Sequence, residues 1–231
     1  MKQILFIFLL FPMFLWSQTN FEKGEQFFKQ EKYVTAKPYF ENFLKQNPNN
    51  LKTIEYLGDI EGYTQSWDKA IYYYGKLKKL KPTEANYYYK YGGALGMKAK
   101  ESNKFAALGM IGEVKSSFEK AIALNPKHIE ARWALIEIYI QLPGIVGGSE
   151  VKATQYAKEL AKLSPVDGFL AKGHIDEYFK RFLEAEKQYI KAVEVGRSKT
   201  AYRILADLYK NKMNQPEKAK MILEDFEKQK G

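Results

Sequence analysis

Three features of this sequence predict an all-α solenoid of about six stacked helix hairpins. Residue classes recur every thirty-four positions: Gly24, Gly58 and Gly92, then Ala36 and Ala70, then Pro48 and Pro82. Within a period the pattern is helical, since Ile54, Leu57, Gly58 and Glu61 fall at i, i+3, i+4 and i+7 of one stripe. Ala70, Tyr74 and Leu77 form a second stripe, which Pro82 follows as a stop. One such hairpin cannot bury both its faces, so neighbours must stack.

The units follow in order. The first (18–50) carries Gly24, Phe27, Ala36, Phe40 and Pro48, and the second (51–84) Leu57, Gly58, Ala70, Tyr74 and Pro82. The third (85–128) has Tyr88, Tyr91, Gly92 and Leu95, then Phe118, Ala121 and Pro126. Pro82 and Pro126 are forty-four residues apart, so ten have been added, around 97–112, as a longer second helix or an extra turn. The fourth (129–167) has Leu135, Tyr139, Ala153 and Pro165, and its five extra residues coincide with 143–148. The fifth (168–198) supplies Tyr178, Ala185, Tyr189 and Ala192 and runs two residues short. The sixth (199–231) supplies Tyr202, Leu205, Ala206, Tyr209, Ala219 and Phe226.

These residues resemble the tetratricopeptide repeat pattern, W-x2-L-G-x2-Y, then A-x3-F, then P. The chain departs from it at Asn20 and Lys23, where large apolar residues are usual, and at Glu61, where tyrosine is usual. The resemblance implies a right-handed solenoid whose first helices line a concave surface, with their fifth, ninth and twelfth positions meeting a ligand. Those positions are Tyr89 and Gly93 in the third unit and Trp133, Glu137 and Ile140 in the fourth. They are Lys172, Asp176 and Phe179 in the fifth, and Arg203, Asp207 and Lys210 in the sixth. Trp133 lies beside the Leu135/Tyr139 stripe; it is either an interface anchor or packing against the long second helix of unit three. The family's clamp for C-terminal carboxylates needs lysine and asparagine at the fifth and ninth positions of one helix, and no unit has both.

The first residues read differently. Lys2 precedes an apolar run from Ile4 to Trp16, broken only by Pro12, and Ser17-Gln18-Thr19-Asn20 then turns polar. Thirteen helical residues rise only about 20 Å, short of the roughly 30 Å hydrocarbon core. A signal peptide over 1–17 is expected, leaving a repeat domain over 18–231 that is exported to the periplasm or beyond. The large Leu15 before the cut leaves an uncleaved anchor as the alternative. No cysteine follows the run, so a lipoprotein is not expected.

Composition bounds the chemistry. The 231 residues are 45% apolar and 28% charged, ordinary for a folded domain, with a formal charge of +10. Basic residues alternate with acidic ones, as in Glu217-Lys218-Ala219-Lys220, which describes a solvated helix surface. The surplus leaves an envelope glycan or anionic lipid as an alternative partner. Zero cysteines removes disulfides, thiolate metal sites and cysteine nucleophiles. His128, after Pro126-Lys127 at a helix start, is expected on the surface, and His174 in a core or half-buried place. Two lone histidines make no zinc site, so no metal or cofactor is expected.

The loop Gly144-Ile145-Val146-Gly147-Gly148-Ser149 is glycine-rich, but the Gly-Lys-Ser/Thr of a phosphate loop is absent and no strand precedes it. Ser149 reads as a helix cap, with Gly144, Gly147, Gly148 and Ser149 as a possible ligand site. In the tyrosine runs 72–74 and 87–89, Tyr74 and Tyr88 are expected to face the core, and nucleic acid is not an expected partner. Function is expected to be non-catalytic binding of a protein or peptide in the cell envelope.

Overall fold

The structure, a computed structural model, describes residues 19–228; the expected signal peptide lies outside them. All regular elements among the described residues are helical, and they pair as antiparallel hairpins. The pairs are α1 (Asn20–Lys29) with α2 (Tyr33–Gln46), α3 (Leu51–Tyr63) with α4 (Trp67–Leu80), and α5 (Ala85–Glu101) with α6 (Lys104–Leu124). They continue as α7 (Ile129–Gln141) with α8 (Glu150–Leu163), α9 (Pro165–Tyr178) with α10 (Phe182–Gly196), and α11 (Lys199–Asp207) with α12 (Pro216–Lys228).

The starts are capped by short polar side chains. Thr19 forms a reciprocal capping box with Glu22, and Asn50, Asn103, Ser149, Ser164 and Ser198 each accept from a first-turn amide. His128 does the same for α7 through Nδ1 and is buried, which corrects its expected surface position: the imidazole is the cap. Four hairpin turns contain a left-handed residue at the same place, Glu31, Gln65, Lys180 and Asn214, spaced by thirty-four within each pair. The two hairpins lacking it are those with added residues.

Close approach of the paired helices explains the glycine period. A Cβ on Gly24 would stand 2.8 Å from the Phe40 ring, on Gly58 2.6 Å from Tyr74, and on Gly173 2.3 Å from Tyr189. Unit four inverts the sizes: Ile136 takes the glycine position and Ala157 the aromatic one, both fully buried. The volume is conserved, so the packing survives.

The added residues of unit three lengthen both helices, to 17 and 21 residues against 13 and 14 in unit two, rather than the second alone. Tyr87, not Tyr88, is the buried member of its run; Tyr88 is half-buried against the neighbouring core.

Unit five corrects the register. Pro165 does not close α8; it is the first residue of α9, and Ser164 alone connects the two helices. Gly168 lies so close to Ala161 that a Cβ would meet it at 2.4 Å, as a one-residue connection requires. The repeat therefore begins two residues earlier than the proline spacing suggests, with Gly173 opposite Tyr189.

Candidate partner-binding groove

Three successive first helices, α7, α9 and α11, line a cleft of about 500 Å³. Trp133 and Glu137 come from α7, Leu170, His174 and Glu177 from α9, and Arg203, Ile204 and Asp207 from α11. Apart from Ile204, the sixth position of unit six, these are the fifth, ninth and twelfth positions of unit five in its corrected register, and the fifth and ninth of units four and six. Lys172, Asp176 and Phe179, two residues out of step, lie outside the cleft. Lys172 reaches over the Phe169 ring, Asp176 binds Arg181 Nε at 2.8 Å, and Phe179 is exposed beside Tyr178.

Trp133 bridges two cores and donates from Nε1 to Asp167 Oδ1 at 3.0 Å, which fixes its ring across the α7–α9 junction. Its indole faces α9, with the His174 ring 6.3 Å away. His174 Nε2 lies 2.5 Å from Glu137 Oε1. That contact raises the imidazole pKa against the opposing effect of burial, and it holds the Glu137 carboxyl below its ordinary value. Glu177 accepts from Tyr189 Oη at 2.9 Å, so the aromatic that fills the glycine position also anchors a groove carboxylate. The cleft thus joins an apolar floor to three carboxylates, one guanidinium and an imidazole.

Glu137 also borders a second cleft, of about 390 Å³, between α5, α6 and α7. Gly93 and Gly96 open its floor, and Ile111, Ile138 and Leu142 supply apolar walls. Tyr89 stands elsewhere, packed on Phe118 and His128. Nearer the N-terminus the first helices are tied together by internal ion pairs. Lys90 binds Glu55 at 2.6 Å and Asp59 at 2.7 Å, and Tyr74 donates to Asp59 at 2.7 Å.

The glycine loop of unit four binds itself. The amides of Val146 and Gly148 donate to Pro143, that of Gly147 to Gly144, and that of Ser149 to Tyr139. Ser149 Oγ caps α8, and a Cβ at Gly148 would fall 1.7 Å from the Leu142 carbonyl oxygen. Left-handed Gly147, obstructed Gly148 and capping Ser149 are thereby accounted for by backbone geometry, whereas open space surrounds the Cβ position of Gly144. Among the described residues no cluster suits a metal ion, and no helix is long and apolar enough to cross a membrane.

Composition of the cleft was partly visible in the sequence: Trp133, Glu137, Arg203 and Asp207 are brought together. Leu170, His174 and Glu177 were missed, although Gly173, with Tyr189 sixteen residues on as in Gly24/Phe40 and Gly58/Tyr74, was the available signal.

No family model matches the chain, and no curated protein matches its sequence. Solved structures do. A tetratricopeptide repeat protein from Parabacteroides merdae is 18% identical with a TM-score of 0.64, over 89% of this chain and 77% of that one. TTC0263, a thermophilic TPR protein of Thermus thermophilus, is 19% identical with a TM-score of 0.62, over 85% and 96%. YrrB, described as a TPR protein with an unusual peptide-binding site, is 14% identical with a TM-score of 0.54, over 79% and 87%. The likeness establishes the fold, a tetratricopeptide-repeat solenoid.

Proposed function

We propose that this solenoid is a non-catalytic scaffold of the periplasm or cell envelope that grips a peptide or protein segment in the groove formed by α7, α9 and α11. One observation carries the proposal: three consecutive first helices present apolar and charged groups to one cleft, continuous through Glu137 with a second. Trp133 and Leu170 offer apolar contact, and the carboxylates and Arg203 fix the polarity of a bound segment. A rigid array loses little ordering entropy on binding. The peptide-binding site named for YrrB supports this use of the fold. The apolar run Ile4–Trp16 supports the envelope location.

The test is a peptide selected by display on protein lacking residues 1–17, then titrated against variants. Trp133→Ala and Arg203→Glu should each weaken binding at least about tenfold, equivalent to roughly 1.4 kcal/mol. Lys172→Glu, outside the cleft, should leave it unchanged. A peptide that binds all three as it binds the parent would remove the groove from consideration.

A further inference from the structure

The residue after the motif glycine position of each first helix carries a polar side chain in five units: Glu25, Asp59, Glu137, His174 and Asp207. In unit three it is Gly93. Glu25 and Asp59 are bound by Lys52 and Lys90 of the next first helix. Gly93 presents bare backbone instead, and nothing lies within 4 Å of its Cβ position. Gly96, about one turn on, has only the Val114 side chain near, at 3.5 Å.

This gap is the floor of the second cleft, of about 390 Å³. Ile111, Val114 and Phe118 of the lengthened α6 form one wall, and Ala134 and Ile138 of α7 the other. A concave site of this size, apolar with a few polar groups, has the makeup of a ligand pocket. Two charged side chains line it, Lys100 and Glu137. Glu137 is engaged by His174 Nε2 at 2.5 Å and by Gln141 Nε2 at 2.7 Å. Lys100, exposed in the last turn of α5, forms no ion pair among the described residues. The cleft is thus an apolar seat beside one unpaired cation. α7 is the ridge between the two clefts: Trp133 lines the first, Ala134 and Ile138 the second, and Glu137 both.

We infer that the segment held in the groove of α7, α9 and α11 continues over α7 and anchors a bulky apolar side chain in the second cleft. An acidic residue beside that anchor pairs with Lys100. Neighbouring helix axes stand about 8–10 Å apart, and an extended chain advances about 3.3 Å per residue. The anchor and the residue that meets Trp133 are therefore about three positions apart. Only a unit without a side chain at the ninth position admits such an anchor, since a larger residue at Gly93 would occupy its place. The inference rests on the peptide-binding reading above and adds the chemistry of the peptide, acidic and apolar.

The experiment is display selection from random peptides of about eight residues, long enough when extended to span both clefts. The targets are the protein lacking residues 1–17, which retains all twelve helices described above, and its Gly93→Leu and Lys100→Glu variants. The open space at Gly93 accepts the leucine, so that variant should keep the parent's circular dichroism spectrum and unfolding midpoint. Peptides selected on the parent should share a bulky apolar residue flanked by aspartate or glutamate. Gly93→Leu should bind such a peptide at least about tenfold more weakly. Replacing the peptide's apolar residue by serine should weaken binding to the parent as much, and cost nothing further on Gly93→Leu. Selection on Lys100→Glu should lose the acidic preference and keep the apolar one. Peptides without an apolar residue, or peptides that bind Gly93→Leu as they bind the parent while Trp133→Ala weakens them, overturn the inference and leave the groove standing. No enrichment, or binding indifferent to Trp133→Ala, Arg203→Glu and Gly93→Leu alike, removes the groove and the inference together. A concentration-dependent dimer that Gly93→Leu dissolves would seat a second copy in the cleft and overturn the inference as well.

Discussion

Substituting alanine for Gly173 tests the register on which the groove depends. The new Cβ would lie 2.3 and 2.4 Å from two ring atoms of Tyr189. That ring is about 1% exposed, and its hydroxyl is held by Glu177 at 2.9 Å, so it has nowhere to move. Overpacking of this kind costs about 1–3 kcal/mol, and the rigid surroundings favour the upper end. Replacing a helical glycine returns about 1 kcal/mol of propensity, leaving a net loss of about 2 kcal/mol. In a chain of this size that lowers Tm by roughly 4–8 °C. Gly93→Ala is the matched control, since nothing lies within 4 Å of its Cβ position, and it should raise Tm by roughly 2–4 °C. Thermal unfolding followed by circular dichroism at 222 nm, the usual helix signal, reads both. A neutral or stabilising Gly173→Ala would mean that Tyr189 does not pack there. Leu170, His174 and Glu177 would then lose their place in the groove.

Two further outcomes follow from the same region. His174 has a raised pKa, so its stabilisation is fully present below the ordinary imidazole value and is lost as pH rises through the folded value. Glu137 has a lowered pKa, so its share is present above the ordinary carboxylate value and is lost on acidification. Stability should therefore decrease as pH is raised through the elevated imidazole value, by an amount under about 1 kcal/mol for this partly exposed pair, and His174→Gln should flatten that slope. In the unit-four loop, Gly148→Ala should destabilise by at least about 2 kcal/mol in urea unfolding, because the obstructing Leu142 oxygen is backbone and cannot rotate away. Gly144→Ala, with open space around it, should fall within about 0.5 kcal/mol of the parent.

The repeat architecture was legible because glycine, alanine and aromatic positions are dictated by helix–helix distance, which their thirty-four-residue spacing exposes. Pro165 was not legible in the same way. Proline both follows helices and opens them, and the sequence does not distinguish the two until a connection length is known. Taking Pro165 as a stop moved three groove positions by two residues, onto Lys172, Asp176 and Phe179. His128 was misplaced for a related reason: a histidine after Pro126-Lys127 looks like a polar surface residue, yet here it substitutes for the serine or asparagine that caps other helices. The two lengthened helices of unit three were seen as an insertion but not apportioned, because Phe105, Leu108 and Ile111 keep helical spacing whichever helix receives them.

Where the solenoid opens follows from how its ion pairs are distributed. In units one to three, Glu25 is bound by Lys52 and by the Tyr56 hydroxyl, and Glu55 and Asp59 share Lys90. Each lysine comes from the following first helix, so adjacent helices are drawn together and their charges neutralised. Between α9 and α11 the tie is looser: Lys212, just beyond α11, reaches Glu177 at 3.8 Å, Arg203 and Ile204 stand at the cleft, and Asp207 accepts from Asn211 on its own side. The ion pairs that close one half of the concave surface are therefore looser in the other, where Arg203 is exposed on the cleft wall. A carboxylate of a segment bound in the proposed groove would pair with Arg203 as the internal carboxylates pair with lysine elsewhere.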